Sequence, residues 1–266
     1  MVGFVHINKT GGTTIKYILR NSTWLRHCDL PTPYPDAVAT PEDIDFARKI
    51  FFFGLNSITG HSLRPWVDGI PGPIDYFTML RDPLLRCLSH YQRIERGKQR
   101  KGEDITFEQF MQNERFRNRQ VNHIAGESNV DKAKQIIRER FFFVGLLERF
   151  DESMMILQKL LPFPITLGYK PRHVAKDNMA KQAVLDDAAS CELLHKGNRL
   201  DQQLYTFVRD ELYPTYRQKA GVIVGQTPEP LKPSRFPARY KVTRFYNQSV
   251  YHTFDKLRRR LKKSRT

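Results

Sequence analysis

The sequence predicts a three-layer α/β fold in which a mostly parallel sheet is covered by helices. Its length of 266 residues suits one sizeable hydrophobic core. Short apolar runs alternate along the chain with stretches of helical spacing, which is typical of a parallel sheet. At two places an apolar run ends in a turn that contains glycine or proline, and a helical pattern follows at once. These places predict strand-turn-helix units.

The first such unit lies at the beginning of the sequence. Residues 3–7 form a short apolar run that ends at residues 8–12, which are Asn-Lys-Thr-Gly-Gly. Thr14, Ile15, Ile18 and Leu19 then recur at helical spacing. We therefore expect a strand, a glycine turn and a helix in that order.

The remaining elements follow from caps, apolar runs and periodicity. Thr40 and Pro41 supply an N-cap and a first-turn proline, so a short helix should begin there and run toward Lys49. Apolar runs that end at turn residues predict strands, and apolar residues recurring every three or four positions predict helices. Residues 50–53 and 57–60 are expected to supply one or two short strands, residues 75–80 and 140–145 one strand each, and residues 150–161 and 200–212 later helices.

The composition changes near residue 225. Residues 1–225 are expected to form one domain, and residues 226–266 a basic, proline-containing C-terminal extension that is mobile or forms a short exposed helix. No apolar run approaches the roughly 20 residues of a membrane span. The cysteines Cys28, Cys87 and Cys191 are odd in number and widely separated, so they predict neither a disulfide framework nor a metal site.

The charge balance predicts an anionic ligand. The chain has 44 Lys and Arg against 28 Asp and Glu, a formal net charge of +16. Such an excess favours binding to nucleic acid, acidic lipid, acidic glycan or a phosphorylated cofactor, although a basic but otherwise ordinary surface is the alternative. The basic C-terminal extension also allows peripheral contact with a membrane.

The first motif with a chemical function is residues 6–14, His-Ile-Asn-Lys-Thr-Gly-Gly-Thr-Thr. Between a strand and a helix, free backbone N–H groups and the helix dipole favour a phosphate, and Lys9 can follow the charge on a leaving oxygen. In the phosphate-binding loop of nucleotide kinases the lysine follows the second glycine, whereas Lys9 precedes Gly11 and Gly12. A nucleotide kinase is therefore disfavoured, and a glycine turn with a solvated lysine remains the structural alternative.

The second motif follows the strand predicted at residues 75–80. Arg81 stands at the end of that strand, and Ser89 lies about two turns into the helix that follows. Because open α/β sheets bind ligands at this edge, Arg81 and Ser89 are expected to hold a second phosphate. Arg86 is expected to have a structural role, as the partner of Asp82 in an i, i+4 ion pair.

These motifs resemble those of the Golgi carbohydrate sulfotransferases, and most closely the heparan sulfate 6-O-sulfotransferases. The matching segments are residues 6–14, 80–97, 118–120 and 142–146, in the order that the family has, and beyond Pro162 the resemblance is faint. It implies a sulfotransferase domain over residues 1–225 with an architecture like that of the P-loop kinases. It also implies 3′-phosphoadenosine 5′-phosphosulfate (PAPS) as co-substrate, without a metal.

The resemblance also assigns residues to the two phosphate sites and to catalysis. The 5′-phosphosulfate would be held by Lys9, Thr10, Gly11, Gly12, Thr13 and Thr14, and the 3′-phosphate by Arg81 and Ser89. His61 is the expected general base, because the family has a histidine segment between its two PAPS motifs, and Lys9 is the second expected catalytic residue. His90, His123 and Glu95 are the alternative bases. Candidates for the acceptor cleft are Arg64, Trp66, Arg93, Arg96 and Lys98.

The expected reaction is an in-line transfer of a sulfuryl group to a hydroxyl of an anionic or neutral polysaccharide or oligosaccharide. The alternatives are a nucleotide kinase and a non-catalytic protein that binds polyanions through its basic surface. Nucleic acid is not expected as a partner. The compartment is expected to be the cytoplasm of a bacterium, or the Golgi lumen if the sequence is a trimmed part of a eukaryotic protein.

Overall fold

One parallel sheet organises the molecule. The computed structural model describes residues 1–70, 72–168, 178–223 and 238–263, and within them five parallel strands form a sheet in the order β2-β3-β1-β4-β5. The strands are β1 (Val2–Val5), β2 (His27–Asp29), β3 (Ser57–Gly60), β4 (Asp75–Leu80) and β5 (Phe141–Leu146). Helices cover this sheet, so the predicted three-layer α/β architecture is confirmed.

Helices lie between most of the consecutive strands and also follow the last strand. They are α1 (Gly12–Thr23), α2 (Pro41–Phe46), α3 (Pro83–Gln99), α4 (Phe107–Gln112), α5 (Arg119–Ala125), α6 (Val130–Arg140), α7 (Phe150–Leu160), α8 (Met179–Asp186), α9 (Ala188–Gly197), α10 (Arg199–Phe207), α11 (Tyr213–Ala220), α12 (Ala238–Phe245) and α13 (His252–Lys263). Thr40 caps α2 as predicted, with its hydroxyl accepting a hydrogen bond from the Asp43 N–H. No helix within the described residues is long and apolar enough to cross a membrane.

Of the one or two short strands expected from residues 50–53 and 57–60, the second forms as β3 and the first does not form. The chain from Ala47 to Phe51 is instead a π-helical turn that extends α2, and the Phe52 N–H donates to the Ala47 carbonyl. Ile50 and Phe53 are exposed while Phe52 is buried, which is not the alternation of a half-buried strand. Conversely, the edge strand β2 was not predicted, because its three residues are a histidine, a cysteine and an aspartate.

The end of the chain packs on the edge of the sheet. The Asn247 side chain accepts a hydrogen bond from the Asp29 N–H (2.7 Å) and donates to the His27 carbonyl (3.0 Å), so it pairs with β2 where a further strand would lie. Tyr251 is fully buried. Residues 252–263 form α13, whose outer side chains are exposed, as expected of a short exposed helix, whereas the buried Tyr240, Asn247 and Tyr251 show that residues 238–251 are not an exposed segment. The proline-containing stretch at residues 226–237 lies outside the described residues, and the division at residue 225 stays a prediction.

The centre of the sheet brings the predicted motifs to one edge. β1 lies between β3 and β4, with Val5 paired to Gly60 on one side and to Thr78 on the other. All three strands run in the same direction, so their carboxyl ends meet at the same edge. The loop after β1, His61 after β3 and Arg81 after β4 are therefore neighbours.

Candidate active site

The loop between β1 and α1 leads into a helix whose first backbone N–H groups have no side-chain cap. α1 begins at Gly12, and Gly11 precedes it with φ 82°, in the left-handed region that glycine adopts without strain. No side chain caps this helix end, and Lys9 also has a positive φ of 72°. The first N–H groups of a helix, together with its dipole, form a binding site for an anion. The local geometry therefore fits the predicted phosphate loop.

The polar residues of this loop differ in what they can offer a ligand. The Thr10 side chain is buried and its hydroxyl donates to the Ile7 carbonyl (3.0 Å), so it stabilises the shape of the loop. Thr13 is exposed and Thr14 is buried. Gly12 lies against the His6 ring so closely that a Cβ there would be 2.0 Å from the imidazole. Any larger residue at position 12 would displace His6.

Lys9 and Arg81 come together at this edge. The Arg81 guanidinium Nη1 donates to the Lys9 carbonyl (3.3 Å), so the two motifs that lie far apart in sequence are in direct contact. Burial lowers the pKa of Lys9, and the neighbouring charges of Arg93, Arg81 and Lys181 lower it further. So many cations around one ammonium group favour an anionic ligand. Ser89 is half-buried on α3, the helix that begins two residues after Arg81.

Gln120 fixes the position of Arg81. Its side-chain amide accepts a hydrogen bond from the Arg81 N–H and donates one to the Arg81 carbonyl, each 2.9 Å long. Gln120 is fully buried at the start of α5, and the Asp201 carboxylate accepts the backbone N–H groups of Gln120 and Val121. The sequence predicted no role for Gln120, because Arg81, its hydrogen-bond partner, lies 39 residues away in the chain.

Arg86 is structural, but its predicted partner is wrong. The Asp82 carboxylate caps α3 by accepting the Leu85 N–H (2.9 Å), and the fully buried Arg86 lies with Nε 3.9 Å from Asp201. Asp201 also stabilises the start of α5, so Arg86 acts on the same framework that holds Gln120. Arg81 and Arg86 thus have separate environments: one is half-buried at the sheet edge and the other lies in the interior.

His61 is held in one orientation and one tautomer by contacts to His6. Its Nδ1 is 2.7 Å from the His6 carbonyl, which can only accept, so Nδ1 carries the hydrogen and Nε2 keeps its lone pair. The His61 ring also stacks on the His6 ring, with centroids 3.9 Å apart. Burial lowers the pKa of His61 to about 4, and the nearby charge of Lys16 acts in the same direction. Near neutral pH the imidazole is uncharged and able to accept a proton.

A cavity of about 120 Å³ opens beside His61. It is lined by Asn8, Thr32, Pro35, Asp36, His61, Arg64, His90, Arg115, Phe116 and Arg119. The cavity wall thus contains one carboxylate and three arginines, and that carboxylate, Asp36, pairs with Arg119. An anionic group would offset the remaining charge.

The other candidates for base and cleft are distributed around this cavity. His90 also lines it, and burial lowers its pKa to about 3. His123 is buried, with its Nε2 2.7 Å from an Arg64 nitrogen. Of the predicted acceptor residues, Arg64 lines the cavity, whereas Lys98 pairs with Glu103. Within the part of the chain that the structure describes, no group of His, Cys, Asp and Glu is placed to hold a metal ion.

Comparison of the sequence with known proteins identifies a matching family and similar relatives. The profile of the Sulfotransferase family matches residues 2–208, which include β1 to β5, the loop and both candidate phosphate motifs. Uronyl 2-sulfotransferase from Mus musculus and from Homo sapiens is similar to this chain, at 23% identity over 117 residues in each case. The similar region covers 42% of this chain and 28% and 29% of the two relatives, so it spans less than a third of their length.

Proposed function

Because this chain belongs to the sulfotransferase family, we propose that it transfers a sulfuryl group from PAPS to a hydroxyl group of a carbohydrate. The observation that supports this proposal most strongly is that three groups lie close together at the ends of β3, β1 and β4. These are the candidate base His61, the loop with Lys9, and Arg81. A nucleotide kinase, the first alternative, lacks support from the family match, and a mere polyanion binder would not need an uncharged, oriented histidine beside the loop.

The donor set of the loop suits PAPS. This co-substrate supplies an activated sulfuryl group whose leaving group is a phosphate. In the proposal Lys9, Thr13, Thr14 and the N–H groups at Gly11 and Gly12 hold that 5′ end, with Thr10 maintaining the loop. Supporting this, α1 begins without a side-chain cap, and the Lys9 ammonium is surrounded by other cations. Arg81 and Ser89 hold the 3′-phosphate, and Gln120 keeps the Arg81 backbone in place.

His61 activates the acceptor. Its Nε2 accepts the proton of the acceptor hydroxyl while the new bond from oxygen to sulfur forms and the bond from sulfur to the phosphate oxygen breaks. The His6 carbonyl stabilises the tautomer in which Nε2 is the acceptor. Lys9 and the loop N–H groups stabilise the negative charge that grows on the departing phosphate. His61 and Lys9 are therefore the proposed catalytic residues.

The acceptor is proposed to be a polysaccharide or oligosaccharide with acidic groups near the accepting hydroxyl. Arg64, Arg115 and Arg119 line the cavity beside His61, with Asp36 as the carboxylate among the lining residues. The name of the relatives, uronyl 2-sulfotransferase, refers to an acidic sugar, which agrees with this charge pattern. The cellular compartment stays a prediction.

Calorimetry with two nucleotides tests the donor assignment. We expect 3′-phosphoadenosine 5′-phosphate, the product, to bind at least about tenfold more tightly than ATP, because Arg81 and Ser89 need a 3′-phosphate to pair with. Equal affinities would contradict the assignment of two phosphate sites. Magnesium-dependent hydrolysis of ATP would instead support the nucleotide kinase.

A further inference from the structure

The last two helices carry a large part of the net charge. Residues 238–263 contain nine Lys and Arg against one Asp, a net charge of +8, which is half of the charge of the chain in about a tenth of its residues. The proposed chemistry at the ends of β3, β1 and β4 makes no use of this segment. The concentration of positive charge in residues 238–263 therefore needs a separate explanation.

The orientation of α13 is fixed by its inner face. Asp255 is buried and accepts from Arg258 (2.9 Å) and Arg259 (2.7 Å) within the same helix. Both arginines also pair with Asp43 at the start of α2, Arg259 at 2.9 Å. These ion pairs attach the helix to the domain, so the opposite face points to solvent.

The outer face of α13 is apolar. Phe254, Leu257 and Leu261 are 55%, 48% and 63% exposed, and at 100° per residue they fall within an arc of about 60°. The Phe254 ring contacts Phe51 with centroids 5.7 Å apart. Phe51 is followed two positions later by Phe53, which is 77% exposed. The apolar side chains of α13 thus reach Phe51 at the end of the turn that extends α2, and the exposed Phe53 lies two residues beyond that contact.

Cations border this apolar arc on both sides. On the helical wheel the exposed Lys256 and Arg260 fall on one side of the arc, and the exposed Lys262 falls on the other side, beyond Arg258, which is already paired with Asp43 and Asp255. A helix with an apolar face between two basic borders is the arrangement that lies in the interface of an anionic bilayer, with its apolar side chains among the acyl chains.

From this arrangement we infer that the outer face of α13, with Phe53, binds the surface of an anionic lipid membrane. A soluble polyanion would pair with the cations but would leave the exposed Phe and Leu side chains in water. A second copy of the chain would bring two segments of net charge +8 together, which their repulsion opposes. A bilayer with acidic headgroups takes up both the apolar side chains and the charge. The docked helix would place the domain at a membrane surface.

Vesicle binding tests this inference independently of catalysis, because neither donor nor acceptor is present. We expect the chain to sediment with vesicles of phosphatidylcholine and phosphatidylserine, more weakly as salt is added, and to stay in solution with phosphatidylcholine alone. The double variant Leu257→Ser, Leu261→Ser should reduce the partition coefficient about tenfold or more, through the lost apolar burial. Leu185→Ser is the matched control, because Leu185 is also 48% exposed but lies on α8.

A second pair of variants tests the role of charge. Lys256→Gln with Arg260→Gln should reduce partitioning about 30-fold, at roughly 1 kcal/mol for each cation near an acidic surface. Arg100→Gln with Lys101→Gln removes the same charge from the exposed end of α3 and should have little effect. All these side chains are exposed, so the midpoint of thermal unfolding should not change.

Three outcomes would overturn the inference. The first is a wild-type chain that stays in solution with the acidic vesicles. The second outcome combines two results: the Leu257→Ser, Leu261→Ser variant binds vesicles like wild type, and the Lys256→Gln, Arg260→Gln variant no longer binds vesicles or dextran sulfate, a soluble polyanion. The surface would then be a binding site for soluble polyanions. The third is self-association in sedimentation velocity that the leucine variant abolishes, which would make the face an interface between two copies.

Discussion

The hydrogen bonds between Gln120 and Arg81 predict a variant that weakens nucleotide binding without removing any contact to the nucleotide. Gln120→Met keeps the length of the side chain but removes both bonds, which are 2.9 Å long and partly buried. At a net worth of about 0.5–1.5 kcal/mol each, their loss should lower the free energy of unfolding by about 1–3 kcal/mol. The freed Arg81 backbone should cost about 1 kcal/mol of affinity for 3′-phosphoadenosine 5′-phosphate, or roughly fivefold in Kd.

Asn247→Leu is the matched control for this experiment. Asn247 is also a fully buried amide that bonds to another backbone segment, but its partners are His27 and Asp29 on the edge strand β2. Denaturant unfolding and calorimetry should show a similar loss of stability in both variants and a loss of affinity in Gln120→Met alone. Unchanged affinity in Gln120→Met, or an equal loss in both variants, would refute the argument that Gln120 positions Arg81.

Three further predictions follow from the site. Arg81→Ala should weaken binding of the product nucleotide by about 1.5–3 kcal/mol in calorimetry. Arg86→Ala should instead lower the free energy of unfolding by about 3–5 kcal/mol, because Asp201 would lose its buried cation. Loss of nucleotide affinity in Arg86→Ala but not in Arg81→Ala would mean that the two arginines have exchanged roles. Gly12→Ala should destabilise the fold by about 1–3 kcal/mol and slow sulfate transfer, because the new Cβ would displace the His6 ring on which His61 stacks. An unchanged midpoint of thermal unfolding together with an unchanged turnover number would show that Gly12 does not hold His6 in place. The rate of transfer should be independent of pH near neutrality and fall only toward pH 4. The pKa of His61 is lowered to about 4, and protonation below that pH removes the lone pair that accepts the proton. A rate that rises through pH 6.5 would indicate a base with an ordinary histidine pKa.

Local patterns were sufficient to predict the strand-turn-helix units at the site. The run before the glycine loop and the run before Arg81 are apolar, and each ends in residues that stop a strand, so β1, α1, β4 and α3 were all predicted. His61 was expected from the resemblance, and in the structure it lies at the same edge as the loop because β3 ends at Gly60 and runs parallel to β1.

The features that were missed depend on contacts between distant residues. Gln120 lies 39 residues from Arg81, and Asn247 lies 218 residues from Asp29, so no local periodicity indicates either pair. β2 was missed because burial of its histidine and aspartate depends on partners elsewhere, among them Arg20 and Ser57. The high density of charge in α13 predicted an exposed helix, and its outer face is exposed, but this charge did not indicate that Asp43 and Asp255 neutralise an inner face.

Single-turnover transfer from radiolabelled PAPS tests the proposed reaction most directly. Wild type and His61→Ala would be compared across a panel of acidic and neutral polysaccharides, with affinity for the product nucleotide measured in parallel. We expect wild type to label an acidic polysaccharide, and His61→Ala to do so roughly 10²–10⁴-fold more slowly with nearly unchanged nucleotide affinity. Transfer at a near-normal rate by His61→Ala would assign the base to another residue, with His90 in the same cavity as the next candidate. Absence of any transfer by wild type across the panel would contradict the proposed reaction itself.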